Sequence, residues 1–488
     1  MRLHSLLRRA LPTIDLTTVA DAEISGVQDD SRLVQPGDLF VARPGTSTDG
    51  NRFVQDAVAR GAAAVIAATP VAGVDVPQVS VADPAAVLST VANTFFENPA
   101  AAMKVLGITG TNGKTTTAYL IRHVLNTLGQ RCGMIGTVEI DDGRHTTEAD
   151  MTTPSAVPAA QLLAAMRDNG CAACAIETSS HALDQGRVAG VTFAGAGFTN
   201  LTGDHLDYHG SMEAYADAKA RLFETLPADA VAALNADSPT FERMARSCRA
   251  RLRTFGIDAA ADYRAANISV TAVGTTFSLT SPHGRADVRL RLIGRHNIEN
   301  ALCAIVLCQD VFGLGLDSVL RAISTATGAP GRLQLVPGDA PFSVLVDYAH
   351  TDDALRNVLS ALRPLTAGRL RVVFGCGGDR DRTKRPRMAR VAEELADDVY
   401  VTSDNPRREN PADILDEIRH GLTAAGRERA TFDVDRRAAI ERAVGDSGAD
   451  DVVLIAGKGH ENYQIVGVTK HPFDDVEEAT RAMAAVAS

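Results

Sequence analysis

Apolar residues fall into short unbroken runs separated by helical patterns, and that alternation organises the chain. Val105-Leu106-Gly107-Ile108, Met134-Ile135-Gly136 and the runs at 173–176 and 194–198 read as strands buried on both faces, with a helix near 215–226. Such runs between helices predict a mostly parallel sheet covered by helices. The rhythm returns at Val344-Leu345-Val346, Val372-Val373-Phe374, Val399-Tyr400-Val401 and Val453-Leu454-Ile455, each passing directly into polar or glycine residues. Open α/β sheets bind ligands beyond the carboxyl ends of their strands, so all four junctions are candidate sites. Nearer the N-terminus the elements are shorter. A helix carries Leu3, Leu6, Leu7 and Ala10 on one side, a strand covers 38–42, and a helix-strand unit spans 53–67 with its turn at Gly61. Asn98-Pro99 and Gly328-Ala329-Pro330-Gly331 interrupt the pattern. The expected fold class is α/β in three domains: 1–103, 104–329 and 330–488.

Composition narrows the function. The 488 residues suffice for several cores, and 45% hydrophobic with 22% charged content is that of a soluble globular protein. A net charge of −11 leaves no basic excess to neutralise phosphates, which argues against a general nucleic-acid binder. Seven cysteines, an odd number, suggest reduced thiols in a cytoplasmic setting. Cys171 and Cys174 form a C-x-x-C with no second pair at zinc spacing, so buried structural cysteines are expected. The N-terminal segment lacks the apolar core of a signal peptide and no 18 apolar residues run together, so membrane insertion is not expected.

The chemistry starts at Gly110-Thr111-Asn112-Gly113-Lys114-Thr115-Thr116, between a strand and a helix start. Glycines let backbone amides close around a phosphate, and the helix N-terminus adds partial positive charge. Lys114 offers a point charge to the terminal phosphates of ATP, and the Thr115 hydroxyl a ligand for Mg²⁺. The common phosphate loop has a glycine five residues before Gly113; here Ile108 occupies that place. Beyond the 173–176 run comes Glu177-Thr178-Ser179-Ser180-His181, a carboxylate suited to holding Mg²⁺ directly or through water. His205 stands among acids in Asp204-His205-Leu206-Asp207, a ligand candidate or a hydrogen-bonded structural histidine. Asn297 and Asn300 open an apolar helix, as caps or adenine contacts. Asp347 follows the 344–346 run, placed for a ribose hydroxyl or a metal-bound water.

These segments, with His296-Asn297-Ile298-Glu299-Asn300 and Asp347-Tyr348-Ala349-His350, resemble the Mur ligases in order and spacing over essentially the whole chain. The resemblance implies a nucleotide-sugar-binding N-terminal domain, a central P-loop-type ATPase domain and a Rossmann-like C-terminal amino-acid domain. It implies an enzyme forming carbon-nitrogen bonds in peptidoglycan precursor synthesis, with ATP and Mg²⁺ as its cofactors. Asp404-Asn405-Pro406-Arg407 is similar to the motif of the members that add meso-diaminopimelate to UDP-N-acetylmuramoyl-L-Ala-D-Glu; lysine-adding members typically lack the arginine. Diaminopimelate has a distal carboxylate that lysine lacks, and an arginine fork binds carboxylate in two parallel hydrogen bonds.

By the resemblance, Arg380 and Arg407 take that carboxylate, and Gly457 and Glu461 hold the distal end. Arg382, Arg385 and Arg387 are expected to be a solvated basic run. Lys114, Glu177, His205 and Lys219 are the implied catalytic set, with Thr115, Glu177, His205 and Lys219 around Mg²⁺. The matching lysine of the family is carbamylated, although by sequence alone Lys219 is an ordinary exposed helix lysine. Arg332 joins Asn297, Asn300 and Asp347 on the nucleotide. Ser31, Thr46, Ser47 and Thr48 match sugar-nucleotide contacts. Thr152, Thr153, Ser179, Gln185 and Arg187 match muramoyl-peptide contacts, with Met151 where some relatives have asparagine. A cytoplasmic monomer acting on small molecules is expected. A lysine-adding member, a folylpolyglutamate synthase and a nucleotide-gated switch are the alternatives.

Overall fold

The computed structural model describes residues 1–43, 50–271 and 274–487. The chain forms two compact units: 1–265 with 279–286 and 299–323, and 266–278 with 287–298 and 324–488. The first expected section and most of the second share the first unit but build separate sheets, while 266–278, 287–298 and 324–329 of the second fall in the other unit.

The N-terminal sheet is parallel and runs in chain order: Gly26–Gln28, Asp38–Val41, Ala64–Ala67 and Gln78–Ser80. Leu3, Leu6, Leu7 and Ala10 of helix Leu3–Ala10 are all buried in its core, as the spacing predicts. Helix Pro84–Phe95 opens with proline in its first turn and Asp83 accepting from the Ala85 and Ala86 amides. Its Ser89 hydroxyl donates to Arg187 O (3.1 Å) and accepts from Gly190 N (2.9 Å). A Cβ at Gly190 would lie 2.4 Å from Ser89 O, so only glycine permits this approach.

The central sheet places Lys104–Thr109 between Phe193–Phe198 and Ala173–Glu177, all parallel, with Val231–Asn235 and Cys132–Ile135 flanking them. After Lys104 these strands are almost wholly buried, which is why they read as continuous apolar runs. Short antiparallel strands Glu139–Asp141 and Thr146–Glu148 finish that edge.

In the second unit the sheet order is Gln334–Leu335, Ser343–Asp347, Val452–Ala456, Leu370–Phe374, Asp398–Val401, Thr431–Phe432; the first pairing alone is antiparallel. Alternate residues feed two cores. Val372, Phe374 and Leu454 join helices Asp352–Leu362 and Lys384–Leu395 on one face, while Val373, Val453 and Ile455 join Arg436–Gly445 and Asp475–Ala487 on the other. Helices on both faces of an open parallel sheet direct the strand ends, and the loops that leave them, toward one edge.

Candidate functional site

In the first unit, strand Lys104–Thr109 ends in a tight loop before helix Lys114–Thr127. Gly113 adopts φ +87°, and a Cβ there would stand 2.2 Å from Asn300 Oδ1. The loop is fixed from both sides: Asn112 N donates to Asn200 Oδ1 (2.9 Å), and the Thr199 hydroxyl donates to Asn112 O (2.5 Å). Lys114 folds back so that its ammonium donates to Gly110 O (2.9 Å) and Thr111 O (2.8 Å). The result is a glycine-shaped cradle at a helix N-terminus with a cation across its mouth, an arrangement suited to polyphosphate.

Glu177, at the end of its strand, is fully buried. Its carboxylate accepts from the Thr115 hydroxyl (2.9 Å), the Thr137 amide (2.8 Å) and the Thr137 hydroxyl (3.0 Å), all neutral donors. Among the described residues no group of three His, Cys, Asp or Glu side chains is placed to hold a metal ion by itself. One buried carboxylate with a threonine hydroxyl fits Mg²⁺, which keeps several waters and takes phosphate oxygens rather than needing an all-protein cage.

Lys219 corrects a sequence expectation: it is 1% exposed, not an exposed helix lysine. Its Nζ donates to Gly110 O (2.8 Å) and lies 4.5 Å from the centre of the Tyr215 ring. Burial first, then nearby Lys114, pushes this amine well below the ordinary lysine range. The Tyr215 and Thr111 hydroxyls hydrogen-bond at 3.1 Å, tying helix Met212–Glu224 to the loop. His205, in the left-handed region at φ +53°, is about half exposed and packs edge-on against His181 at 4.9 Å. Burial lowers the His181 and His209 pKa values, favouring neutral imidazoles.

The residues matched to the muramoyl-peptide form one chain of contacts. Arg187 donates to Gln185 Oε1 (3.0 and 2.8 Å) and Thr153 O (2.8 Å), and the Thr153 hydroxyl donates to Glu177 O (2.6 Å). Ser179 N donates to the Thr153 hydroxyl (3.0 Å), and the Thr137 hydroxyl reaches Thr152 (3.0 Å). Met151 Sδ lies 3.9 Å from Arg187. Tyr208, which sequence reasoning missed, donates to Asp184 (2.9 Å) and accepts from Gln185 (3.2 Å). Ser31 is buried in a short turn, Ser31–Leu33. Thr46, Ser47 and Thr48 lie outside the described residues.

In the second unit, Asp404 and Asn405 follow strand Asp398–Val401 and are buried. Asn405 donates to Glu461 (2.8 Å) and accepts from Lys458 (3.1 Å); Lys458 also reaches Glu461 at 3.3 Å. Burial opposes ionisation of Asp404, but Lys458 and Arg436 hold its pKa below the usual range. Gly457, φ +118°, leaves room for the Asp404 carboxylate, whose Oδ2 a Cβ would meet at 2.6 Å. Arg407 donates to Gly378 O (3.0 Å). A Cβ on Gly377 would meet the Arg407 guanidinium at 2.8 Å and the Arg380 stem at 3.7 Å, so the two arginines flank one glycine. Pro406 closes against Gly378, where a Cβ would lie 2.0 Å from Pro406 O.

Arg385 is the second correction. It is fully buried rather than solvated, paired with Glu409 (2.9 Å) and Glu417 (2.8 Å). Arg382, also paired with Glu417, and Arg387 are exposed. Sequence reasoning also missed Arg436. Fully buried, it makes two 2.7 Å bonds to Asp475 and donates to Ser403 O (3.3 Å) and Ala456 O (3.0 Å), the carbonyls just before Asp404 and Gly457. Asp347 spends its carboxylate on backbone: it accepts from Leu333 N (2.7 Å) and Ala349 N (2.8 Å). Arg332 lies over Tyr348, 4.8 Å from the ring centre, with His460 packed against the same ring at 5.0 Å. Asn297 anchors its own helix through Ile293 O (2.9 Å).

Three family models match this chain: the Mur ligase family catalytic domain at 23–96, the Mur ligase middle domain at 108–308 and the Mur ligase glutamate ligase domain at 331–459. A UDP-N-acetylmuramoyl-L-alanyl-D-glutamate–2,6-diaminopimelate ligase of Bacillus cereus is 42% identical over 99% of this chain and 98% of its own. The enzyme of the same name from Pseudomonas aeruginosa is 46% identical over 93% and 94%. A solved structure of a ligase so named is 36% identical, covering 95% of this chain and 96% of its own with a TM-score of 0.71. The Mycobacterium tuberculosis folylpolyglutamate synthase complexed with ADP and AMPPCP shares the fold at 20% identity, covering 76% of this chain and 92% of its own with a TM-score of 0.62. The chain, an α/β protein with the three-domain fold of these enzymes, belongs to the Mur ligase family.

Proposed function

We propose that the chain is an ATP-dependent ligase that joins meso-diaminopimelate to UDP-N-acetylmuramoyl-L-Ala-D-Glu in peptidoglycan precursor synthesis. The observation that carries the amino-acid choice is the pair of arginines, Arg380 and Arg407, flanking Gly377 beside Asp404, Asn405 and Glu461. The full-length likeness to ligases named for diaminopimelate supports the same reading.

The γ-phosphoryl group passes from ATP to one of the two free carboxylates of the D-glutamyl residue, giving an acyl phosphate and ADP. The diaminopimelate amine adds to that carbonyl, and the tetrahedral intermediate expels phosphate as the amide forms. Such transfer needs positioning and charge neutralisation more than covalent help from the protein. Lys114 and the loop amides supply both at the phosphates. Gln185 and Arg187 orient the dipeptide, and Arg187 brings a cation to its carboxylate side. Thr115, Glu177, His205 and a carbamylated Lys219 are the residues that would hold Mg²⁺, which supplies further neutralisation. A neutral amine is the form that adds CO₂, releasing a proton and leaving a carbamate, and burial shifts Lys219 toward that form. Asn297, Asn300, Arg332 and Asp347 are assigned to the nucleotide, and Ser31, Thr152, Thr153 and Ser179 to the sugar peptide.

The boundaries 103/104 and 329/330 are retained as the domain limits; each family match falls within one of the three segments. No helix of the described residues is long and apolar enough to cross a membrane, and the seven cysteines are free. We place the protein in the cytoplasm as a monomer.

The test is phosphate release with ATP, Mg²⁺ and the UDP-muramoyl-dipeptide, comparing diaminopimelate, lysine, glutamate and no amine. Release that depends on diaminopimelate and is at least a hundredfold slower with lysine is expected. Equal release with lysine would refute the role of Arg407, and no turnover with any amine would favour a nucleotide switch.

A further inference from the structure

The hairpin Tyr463–Val466 and Thr469–Pro472 is a two-stranded sheet separate from the main sheet of its unit. It exposes Val466 and Val468 to solvent, so burial of its own side chains explains little of its presence. Its backbone and one side chain instead grip the 404–407 loop at four points. Gln464 Nε2 donates to Asp404 O (2.7 Å), and Ile465 N donates to Asn405 Oδ1 (2.8 Å). Arg407 N donates to Ile465 O (3.0 Å), and Gly467 N donates to Arg407 O (2.7 Å).

Two of these bonds hold a conformation the loop would not choose by itself. Arg407 sits at φ +51°, a left-handed backbone that costs a non-glycine residue about 1 kcal/mol or more. The bonds on its N–H and C=O fix that backbone and hence the direction in which the guanidinium leaves it, toward Gly378 O. The bond on Asn405 Oδ1 does similar work. With Ile465 N and Lys458 both donating to that oxygen, the amide nitrogen can only face Glu461.

We propose that this hairpin is a clasp that sets amino-acid selection, with Gln464 a positioning residue for Asp404, Asn405 and Arg407. Gln464 need not touch the incoming amino acid. It removes freedom from the groups assigned to that role, and an arginine fork discriminates only when its direction is fixed. The selection half of the proposal rests on the ligase reading given above; the clasp itself does not.

The test uses the full-length enzyme and the variants Gln464→Ala and Gln464→Lys, the latter keeping a donor for Asp404 O. Amide hydrogen exchange across 404–408 reports the clasp without reference to catalysis, and is expected to quicken about tenfold in Gln464→Ala. In steady state, kcat/KM for diaminopimelate should fall about tenfold through KM, a loss in line with one buried hydrogen bond. KM for ATP and for the UDP-muramoyl-dipeptide should stay at parental values, the preference over lysine should shrink, and Gln464→Lys should recover much of both. Unchanged exchange together with unchanged preference overturns the proposal, as does a uniform loss in kcat with all three KM values preserved. Absence of diaminopimelate-dependent turnover in the parent enzyme defeats the ligase reading and the selection role with it. Exchange then decides the clasp alone.

Discussion

Arg436 and Asp475 offer the sharpest test of how the second unit holds its strand ends. Both side chains are fully buried, joined by two 2.7 Å hydrogen bonds, and Arg436 also serves the carbonyls of Ser403 and Ala456. Arg436→Ala leaves the Asp475 carboxylate buried without its partner, a change that costs about 3–5 kcal/mol. Replacing both, as Arg436→Met with Asp475→Leu, removes the orphaned charge, and such apolar exchanges of buried pairs are often near neutral. The two carbonyls still lose their donors, costing roughly 1–3 kcal/mol of local order just before Asp404 and Gly457. Stability and positioning should therefore separate. In urea denaturation at constant m, the single variant should lose about 3–5 kcal/mol and the double variant should regain part of that loss. Both should raise KM for diaminopimelate about tenfold. A loss below about 1 kcal/mol in Arg436→Ala, or a double variant with parental KM, would refute the reasoning.

Three further outcomes follow from the geometry. Gly113→Ala forces a side chain into φ +87° against Asn300 Oδ1 at 2.2 Å, so nucleotide affinity measured by calorimetry should fall at least tenfold; parental affinity would contradict the cradle. Lys219→Ala should abolish turnover, with formate or acetate restoring part of it as a carboxylate in place of the proposed carbamate; normal activity in the variant would sink that assignment. His460, pushed down to about 4 mainly by burial and also by Arg332, stays neutral in the folded chain while its unfolded counterpart protonates near pH 6.5. Stability should therefore fall as pH drops from 6.5 toward 4, by no more than about 3 kcal/mol from this group, and His460→Gln should flatten that slope in thermal melts. An unchanged slope would contradict the shift.

The strands were the most legible part of the sequence, because strands buried on both faces leave unbroken apolar runs such as Val453-Leu454-Ile455. The phosphate loop was legible for a related reason: its glycines and Lys114 all fall within the short stretch from Gly110 to Lys114. Two buried cations, Lys219 and Arg385, were misread and a third, Arg436, was passed over, all for one reason. Lys219 shares a helical stripe with Tyr215, Leu222 and Phe223; Arg385 with Met388, Ala389 and Ala392; Arg436 with Ala439, Ile440, Ala443 and Val444. Each sits three, four, seven or eight residues from buried apolar residues, so the periodicity carried the signal that charge alone concealed. The clasp on Arg407 and the Tyr208 link between Asp184 and Gln185 left no such mark. They are pairings between segments distant in sequence or facing each other across a loop, and one sequence does not encode which loop meets which.

The central claim is that ATP held at Gly110 to Thr115 phosphorylates the dipeptide carboxylate before the diaminopimelate amine attacks. The most direct measurement is turnover of UDP-N-acetylmuramoyl-L-Ala-D-Glu carrying ¹⁸O in that carboxylate, with mass analysis of the released phosphate. Passage through an acyl phosphate puts one ¹⁸O from the carboxylate into each phosphate as the amide with diaminopimelate forms. Phosphate free of ¹⁸O, alongside amide product, would contradict the account.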